Sequence, residues 1–242
     1  MKTLLESILN KSGVGKIYQI QSWLDEYGVE NYTINNKGEI DVEGDVILGG
    51  RNLTEFPPFI QFGTVNGFFN CSLCGLTSLR GCPKKVEGIF NCTHNELTSL
   101  EGSPGKVGGH FDCSDNSLTT LEGSPERVRG NFYCRFNLLT SLEGAPKKIG
   151  GSFYCSNNNL TTLKGAPEKT GGGFYCNSNK LTTLEGTPKK IEGNFDCEKN
   201  NLTTLKGAPN EVRGYFNCRY NSVKFTEDDV RKVCNVKREI MV

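Results

Sequence analysis

Histidine is scarce in this chain, at 2 of 242 residues, and tryptophan scarcer still, at 1. His94 and His110 have no Ser or Cys nucleophile motif beside them, so acid–base and nucleophilic catalysis lack a centre. No enzyme activity and no cofactor are expected. Neither sign of charge dominates, with 28 Lys and Arg against 27 Asp and Glu. That balance argues against nucleic acid as a partner. No run of about 18 apolar residues occurs, which argues against a membrane-spanning helix. The apolar start at Leu4 and Leu5 is interrupted by Glu6, Asn10 and Lys11, and no small-residue cleavage site follows. A secretory leader is therefore not expected, and a cytoplasmic location is.

Cysteine is the exception to this scarcity, with 11 residues. Eight of them, Cys71, Cys92, Cys113, Cys134, Cys155, Cys176, Cys197 and Cys218, stand 21 residues apart. A fixed period of this size marks a solenoid that grows by stacking. Each of these cysteines follows a Phe by two residues, from Phe69 to Phe216, and period two marks a short strand. Phe and Cys then face inward, the Cys acting as a small hydrophobe rather than as a disulfide partner. Stacked copies predict a parallel sheet of nine strands, counting Val46 to Leu48.

The rest of the repeat follows the same logic. Three residues after the Cys comes Asn95, Asn116, Asn137, Asn158, Asn179, Asn200 or Asn221. The chain must turn there, and a buried amide can serve the backbone groups left without ladder partners. Two leucine columns, Leu97 to Leu202 and Leu100 to Leu205, fill the core. Gly-x-Pro in each copy, as at Gly165 and Pro167, argues against a long helix on the return side. The return is expected to be extended or a brief 3-10 turn, closed by Val107, Val128, Ile149, Ile191 and Val212, with Thr170 as the exception.

Phe-x-Cys-x-x-Asn-x-Leu-Thr-x-Leu resembles the core of leucine-rich repeats, with Phe and Cys at two of the leucine sites. The short period is similar to that of bacterial effector proteins. The Gly-x-Phe-x-Cys version, led by Trp23-Leu-Asp-Glu-Tyr27, Tyr32-Thr-Ile34 and Asp41-Val-Glu-Gly44, resembles leucine-rich repeat proteins of large bacteriophages. The resemblance implies a leucine-rich repeat solenoid that captures a partner protein without catalysis. For a phage product, that partner would be a bacterial host protein, inhibited or redirected in the host cytoplasm. No ligase-like segment follows the repeats, so a ubiquitin ligase activity is not implied.

The organisation expected is an N-terminal cap over 1–45, the array over 46–223, and a capping helix with tail over 224–242. Ile17, Ile20, Trp23, Leu24 and Tyr27 share one face at helical spacing, and Gly28 suits a stop. Leu4, Leu5, Ile8 and Leu9 suggest a shorter preceding helix. Tyr32 to Ile34 and Ile40 to Val42 flank Asn35-Asn-Lys-Gly38, which reads as a hairpin. Trp23 belongs to the cap's core, an exposed partner anchor being the alternative. Pro58 to Gly63 carries a two-residue insertion. Thr226 and Asp229 suit a capping box, Phe225 and Val230 a hydrophobic staple, and Val230, Val233 and Cys234 an apolar face.

Candidate sites are weighed against plain structural roles. Cys71-Ser-Leu-Cys74, with Cys82, Cys92 and His94, looks like half a zinc site. Cys71 and Cys92 belong to the inward column, however, and Cys74 replaces a turn Asn, so no metal is expected; a redox role for Cys74 with Cys82 stays open. The residue between Phe and Cys points outward and is not fixed by the repeat. It is Tyr133, Tyr154 and Tyr175 in three successive copies, flanked by Asp112 and Asp196. Arg135, Phe136, Arg219 and Tyr220 lie close by in sequence. Tyr and Arg are enriched at binding hot spots. These nine residues are the expected partner-binding set. The alternatives are a nucleic acid or glycan stacked on the tyrosines, aromatic shielding of the sheet, or a self-assembling solenoid, with a monomer or weak oligomer preferred.

Overall fold

The computed structural model describes residues 14–242. The helix expected around Leu4 to Leu9 lies outside them. The chain forms a leucine-rich repeat solenoid in which a front sheet of parallel strands faces a back layer of return strands, parallel after the first pair, across one continuous core. Alternation sets the front sheet: Phe and Cys of every copy are buried, and the residue between them turns outward. Its ten strands run from Val46–Ile47 through Phe69–Asn70 and its repeats to Phe216–Asn217 and then Ile240–Met241. Phe132 pairs with Phe153 and Tyr133 with Tyr154, so like residues stack on like.

The return segments are extended, and they also pair with one another. Eight strands, from Tyr32–Ile34 to Lys169–Thr170, form the back sheet. Lys190–Ile191, Glu211–Val212 and Asn235–Val236 form a separate three-stranded piece. The interruption falls at Thr170, the one closing residue that is neither Val nor Ile. Its buried hydroxyl donates to the Gly172 carbonyl at 3.2 Å.

The asparagine column holds each turn. Asn158 Nδ2 donates to the carbonyls of Cys134, Cys155 and Ser156 at 2.9, 3.2 and 3.3 Å, while its Oδ1 accepts from the Leu139 N–H at 3.1 Å. One side chain thus serves its own coil and the one before it. The cysteines are not passive fillers. Cys155 Sγ donates to the Tyr175 carbonyl in the next coil at 3.4 Å, beside the Cys155 N–H on the same oxygen. Cys92, Cys113, Cys134 and Cys197 repeat that thiol contact. Burial pushes these thiols well above the usual range and keeps the S–H donor in place. Gly165 stands at φ +85, where an added Cβ would lie 2.5 Å from the Glu143 nitrogen of the coil below.

Among the described residues the first helix spans Val14–Tyr27. Ile20, Trp23 and Leu24 are buried, and Trp23 stacks on Tyr27 at 4.3 Å. Ile17 departs from the expected face and is 46 % exposed. The hairpin forms as read, and its second strand, Ile40–Val42, begins the back sheet by pairing in parallel with Phe62–Val65. The insertion before it is absorbed by a register shift between Ile40 and Val42.

The C-terminal segment differs most from expectation. Thr226 and Asp229 form a capping box on the helix Glu227–Val233, and Phe225 and Val230 are buried. Val233 is exposed, so it does not share the apolar face. The helix does not end the stack. It replaces one turn, after which Asn235–Val236 and Ile240–Met241 add a strand to each sheet.

Replacing Asn158 by Leu keeps the branched outline but removes three donated hydrogen bonds and strands the buried Leu139 N–H, while the carbonyls keep their other donors, Asn137, Asn179 and the Phe136 N–H. A loss of about 2–4 kcal/mol is expected, since the unsatisfied buried N–H costs about 1–3 kcal/mol and the lost bonds to the carbonyls add about 0.5–1.5 kcal/mol each at most. Chemical denaturation measures it, and a loss below about 0.5 kcal/mol would contradict the role assigned to the column.

Candidate functional site

The register of the front sheet converts three outward tyrosines into one object. Tyr133 pairs with Tyr154 and Tyr154 with Tyr175. Their rings stack at 4.6 and 4.5 Å, with interplanar angles of 13° and 3°. Stacked pairs contribute about 0.5–1.5 kcal/mol each beyond burial. The phenol oxygens of Tyr133 and Tyr175 accept from the side-chain amides of Asn131 and Asn194 at 2.6 and 3.2 Å. Gly173 makes room for the ladder: a Cβ there would lie 2.6 Å from the Tyr175 ring.

The tyrosines displace a local hydrogen bond that other coils keep. Where this position is Asn or Asp, its Oδ1 accepts from the N–H two residues on. The pairs are Asn70 with Ser72, Asn91 with Thr93, Asp112 with Ser114, Asp196 with Glu198, and Asn217 with Arg219, at 3.0–3.3 Å. A phenol ring cannot accept in that way from Arg135, Ser156 or Asn177. The ladder therefore gives up three local bonds, which a surface needing only cover would retain.

Arg135 lies across the ladder, its guanidinium carbon 5.3 Å from the Tyr133 ring centre and 5.6 Å from that of Tyr154. Such contacts are worth about 0.5–1 kcal/mol at exposed sites and more when desolvated. Among the described residues no carboxylate lies within 4.0 Å of it. Its Nε is buried without a partner, as is the Ser114 Oγ of the preceding coil. The site thus holds a guanidinium fixed by aromatic rings and not neutralised by the chain.

The far end of the ladder is acidic. Burial raises the Asp196 carboxyl to about 6, with Glu198 adding to the shift. Tyr215 is raised to about 12 by burial and by Asp196. Asn217 Nδ2 donates to Glu198 at 3.0 Å.

The expected residues do not all fall together. Tyr133, Tyr154, Tyr175 and Arg135 form one patch between Asp112 and Asp196 in adjoining coils. Phe136 is on its rim. Arg219 and Tyr220 stand four coils from Arg135, about 19 Å away at ~4.8 Å per strand. Phe136 and Tyr220 belong to a row in left-handed backbone, at φ 52 and 54, shared with Leu73, His94, Asp115, Asn157, Ser178 and Lys199. Bulky residues are uncommon in that conformation. Phe136, Tyr220 and Leu73 are 51, 73 and 61 % exposed, so their rings and chains lie open to a partner. An outward row absent from the sequence candidates lies on the back sheet: Lys85, Lys106, Arg127, Lys148, Lys169 and Lys190. Its signal is the same 21-residue period.

The thiol cluster has a structural account. Cys74 Sγ donates to the carbonyls of Leu48 and Ser72 at 3.2 and 3.3 Å, the service Asn gives elsewhere. Burial raises the thiols of Cys74 and Cys82. His94 is exposed, and its Nε2 lies 3.9 Å from Asp115.

No protein-family model and no curated protein matches the chain. Among solved structures it is similar to YopM from Yersinia enterocolitica WA-314, at 18 % identity and a TM-score of 0.36. The match covers 75 % of this chain and 46 % of that one, so the chain spans less than half of YopM.

Asp196 makes the fold sensitive to pH. Its carboxyl titrates higher folded than unfolded, so its contribution is complete below about pH 4 and is lost as pH rises through about 6. Asp196→Asn, the residue used at this position in Asn70, Asn91 and Asn217, should melt higher than the parent at pH 7.5 and match it near pH 4. Equal melting temperatures at both pH values would refute the shift.

Proposed function

We propose that the chain is a non-enzymatic protein-interaction module that holds a partner protein on the front sheet, centred on Tyr133, Tyr154, Tyr175 and Arg135. The observation that carries this reading is the exchange made in three successive coils. Locally satisfied Asn or Asp is replaced by a tyrosine ladder carrying an unpaired guanidinium. Rigid aromatic surface and a preorganised Arg are the composition of interface hot spots. The two terminal nitrogens of Arg135, with four N–H donors, suit a partner carboxylate bound through two of them. Phe136, Asp112 and Asp196 form the rim, and Arg219 with Tyr220 a second contact point further along. The resemblance to phage proteins extends the reading to a bacterial host protein that is inhibited or redirected in the host cytoplasm.

The stacked geometry counts against nucleic acid or glycan on the same residues. Base and sugar recognition needs open ring faces. At 4.5–4.6 Å the tyrosines cover one another's faces and present edges and hydroxyls instead.

Affinity capture from bacterial lysate with the parent chain and with Tyr154→Ala/Tyr175→Ala tests the proposal. Hot-spot truncations cost about 2 kcal/mol or more, so the double variant should bind at least about 30-fold more weakly while melting cooperatively. Equal capture by a folded double variant would overturn the reading.

A further inference from the structure

The net charge of +1 conceals an uneven distribution. The six return segments 84–87, 105–108, 126–129, 147–150, 168–171 and 189–192, with 210–213 after them, carry 11 Lys and Arg against 5 Glu. The rest of the chain is correspondingly acidic. Within those segments the residue before the closing Val, Ile or Thr is a cation in six successive coils.

The back sheet sets these cations in register. Lys85 pairs with Lys106, Lys106 with Arg127, and Lys148 with Lys169, and the pairing of Val128 with Ile149 places Arg127 beside Lys148. Like charges directly opposite on neighbouring strands destabilise a sheet. The ends of the row are neutralised: Lys85 contacts Glu87, and Lys190 contacts Glu192 and Glu211 at 3.4 and 3.6 Å. The middle is not. Among the described residues, Lys106, Arg127, Arg129, Lys148 and Lys169 have no carboxylate oxygen within 4.0 Å. All five are exposed. A groove of about 460 Å³ runs between Arg127, Arg129, Lys148 and Lys169, and a neighbouring one of about 310 Å³ continues past Lys106.

What this ridge lacks narrows its ligand. No aromatic side chain stands in its grooves, so there is no platform for unstacked bases. The apolar residues of these strands, Val86, Val107, Val128 and Ile149, are all buried, so a peptide or bilayer would find no apolar anchor. What remains is a row of point charges about 4.8 Å apart. A stiff polyanion of high, regular charge density satisfies such a row, and double-stranded nucleic acid carries one charge per ~1.7 Å of axis.

We propose that the back sheet binds the phosphate backbone of double-stranded nucleic acid without reading its sequence, through Lys106, Arg127, Arg129, Lys148 and Lys169. The two sheets face opposite ways, so this site is independent of the tyrosine ladder, and either can fail alone.

A fluorescent mixed-sequence 20-base-pair DNA duplex titrated with the full chain tests it. About five phosphate contacts predict log K falling with log salt at a slope of about −4.5, and a Kd of about 1–100 µM near physiological salt. Arg127→Gln/Lys148→Gln/Lys169→Gln should flatten the slope by about 3 units. The same variant should melt no lower than the parent, because mutual repulsion is relieved. Tyr154→Ala should leave both values unchanged. No association at 50 mM salt would overturn the proposal. So would an unchanged slope in the triple variant, or equal affinity for poly-glutamate or for vesicles rich in phosphatidylserine.

Discussion

Everything in this fold depends on how the chain satisfies its backbone where it leaves the front sheet. A parallel ladder pairs residues only while the strand continues, and here each front strand spans two residues. The next residues must turn into the core, where an unpaired carbonyl is costly. One asparagine per coil resolves this by donating to its own coil and to the one before it, to Cys155 and Cys134 in the case of Asn158. The same contact aligns consecutive coils, so it fixes the register that stacks Phe on Phe and Tyr on Tyr. Stacked rows of like side chains on the outside are thus a consequence of hydrogen bonding on the inside.

Cysteine completes the arrangement. Leucine would be larger, and it could not donate to the carbonyl of the coil above. The thiol is small enough for tight stacking, apolar enough to be buried, and a weak donor where one more contact is available. Its raised pKa follows from the burial, which makes the column structural and unreactive. Cys74 shows the same economy, since it stands where the turn asparagine is missing and its thiol reaches Leu48 and Ser72.

The repeat made most of this readable, because a period states which residues share an environment. Inward Phe and Cys, the amide at the turn, the leucine columns, the hairpin and the capping box at Thr226 all follow from spacing and residue type. The departures have physical causes. Val236 and Ile240 keep the four-residue offset of Val212 and Phe216, but without Gly, Phe or Cys the last strands carry no visible repeat. Pairing of the return strands depends on how closely the coils approach, which a sequence does not state. Arg135 could be seen as an Arg near tyrosines. That it lies across two rings with no carboxylate nearby is a fact of three dimensions. A summed charge likewise hides the basic column of the back sheet, because its compensation lies elsewhere on the molecule.

On the function proposed above, a partner protein rests on the outward ladder rather than on the return side or the end coils. Hydrogen–deuterium exchange of the chain with and without its captured partner tests this most directly. Slowed exchange should be confined to segments around residues 131–136, 152–157 and 173–178, fading toward 110–115 and 194–199. Protection centred on the return strands or on residues 227–242, with the ladder segments unchanged, would contradict it.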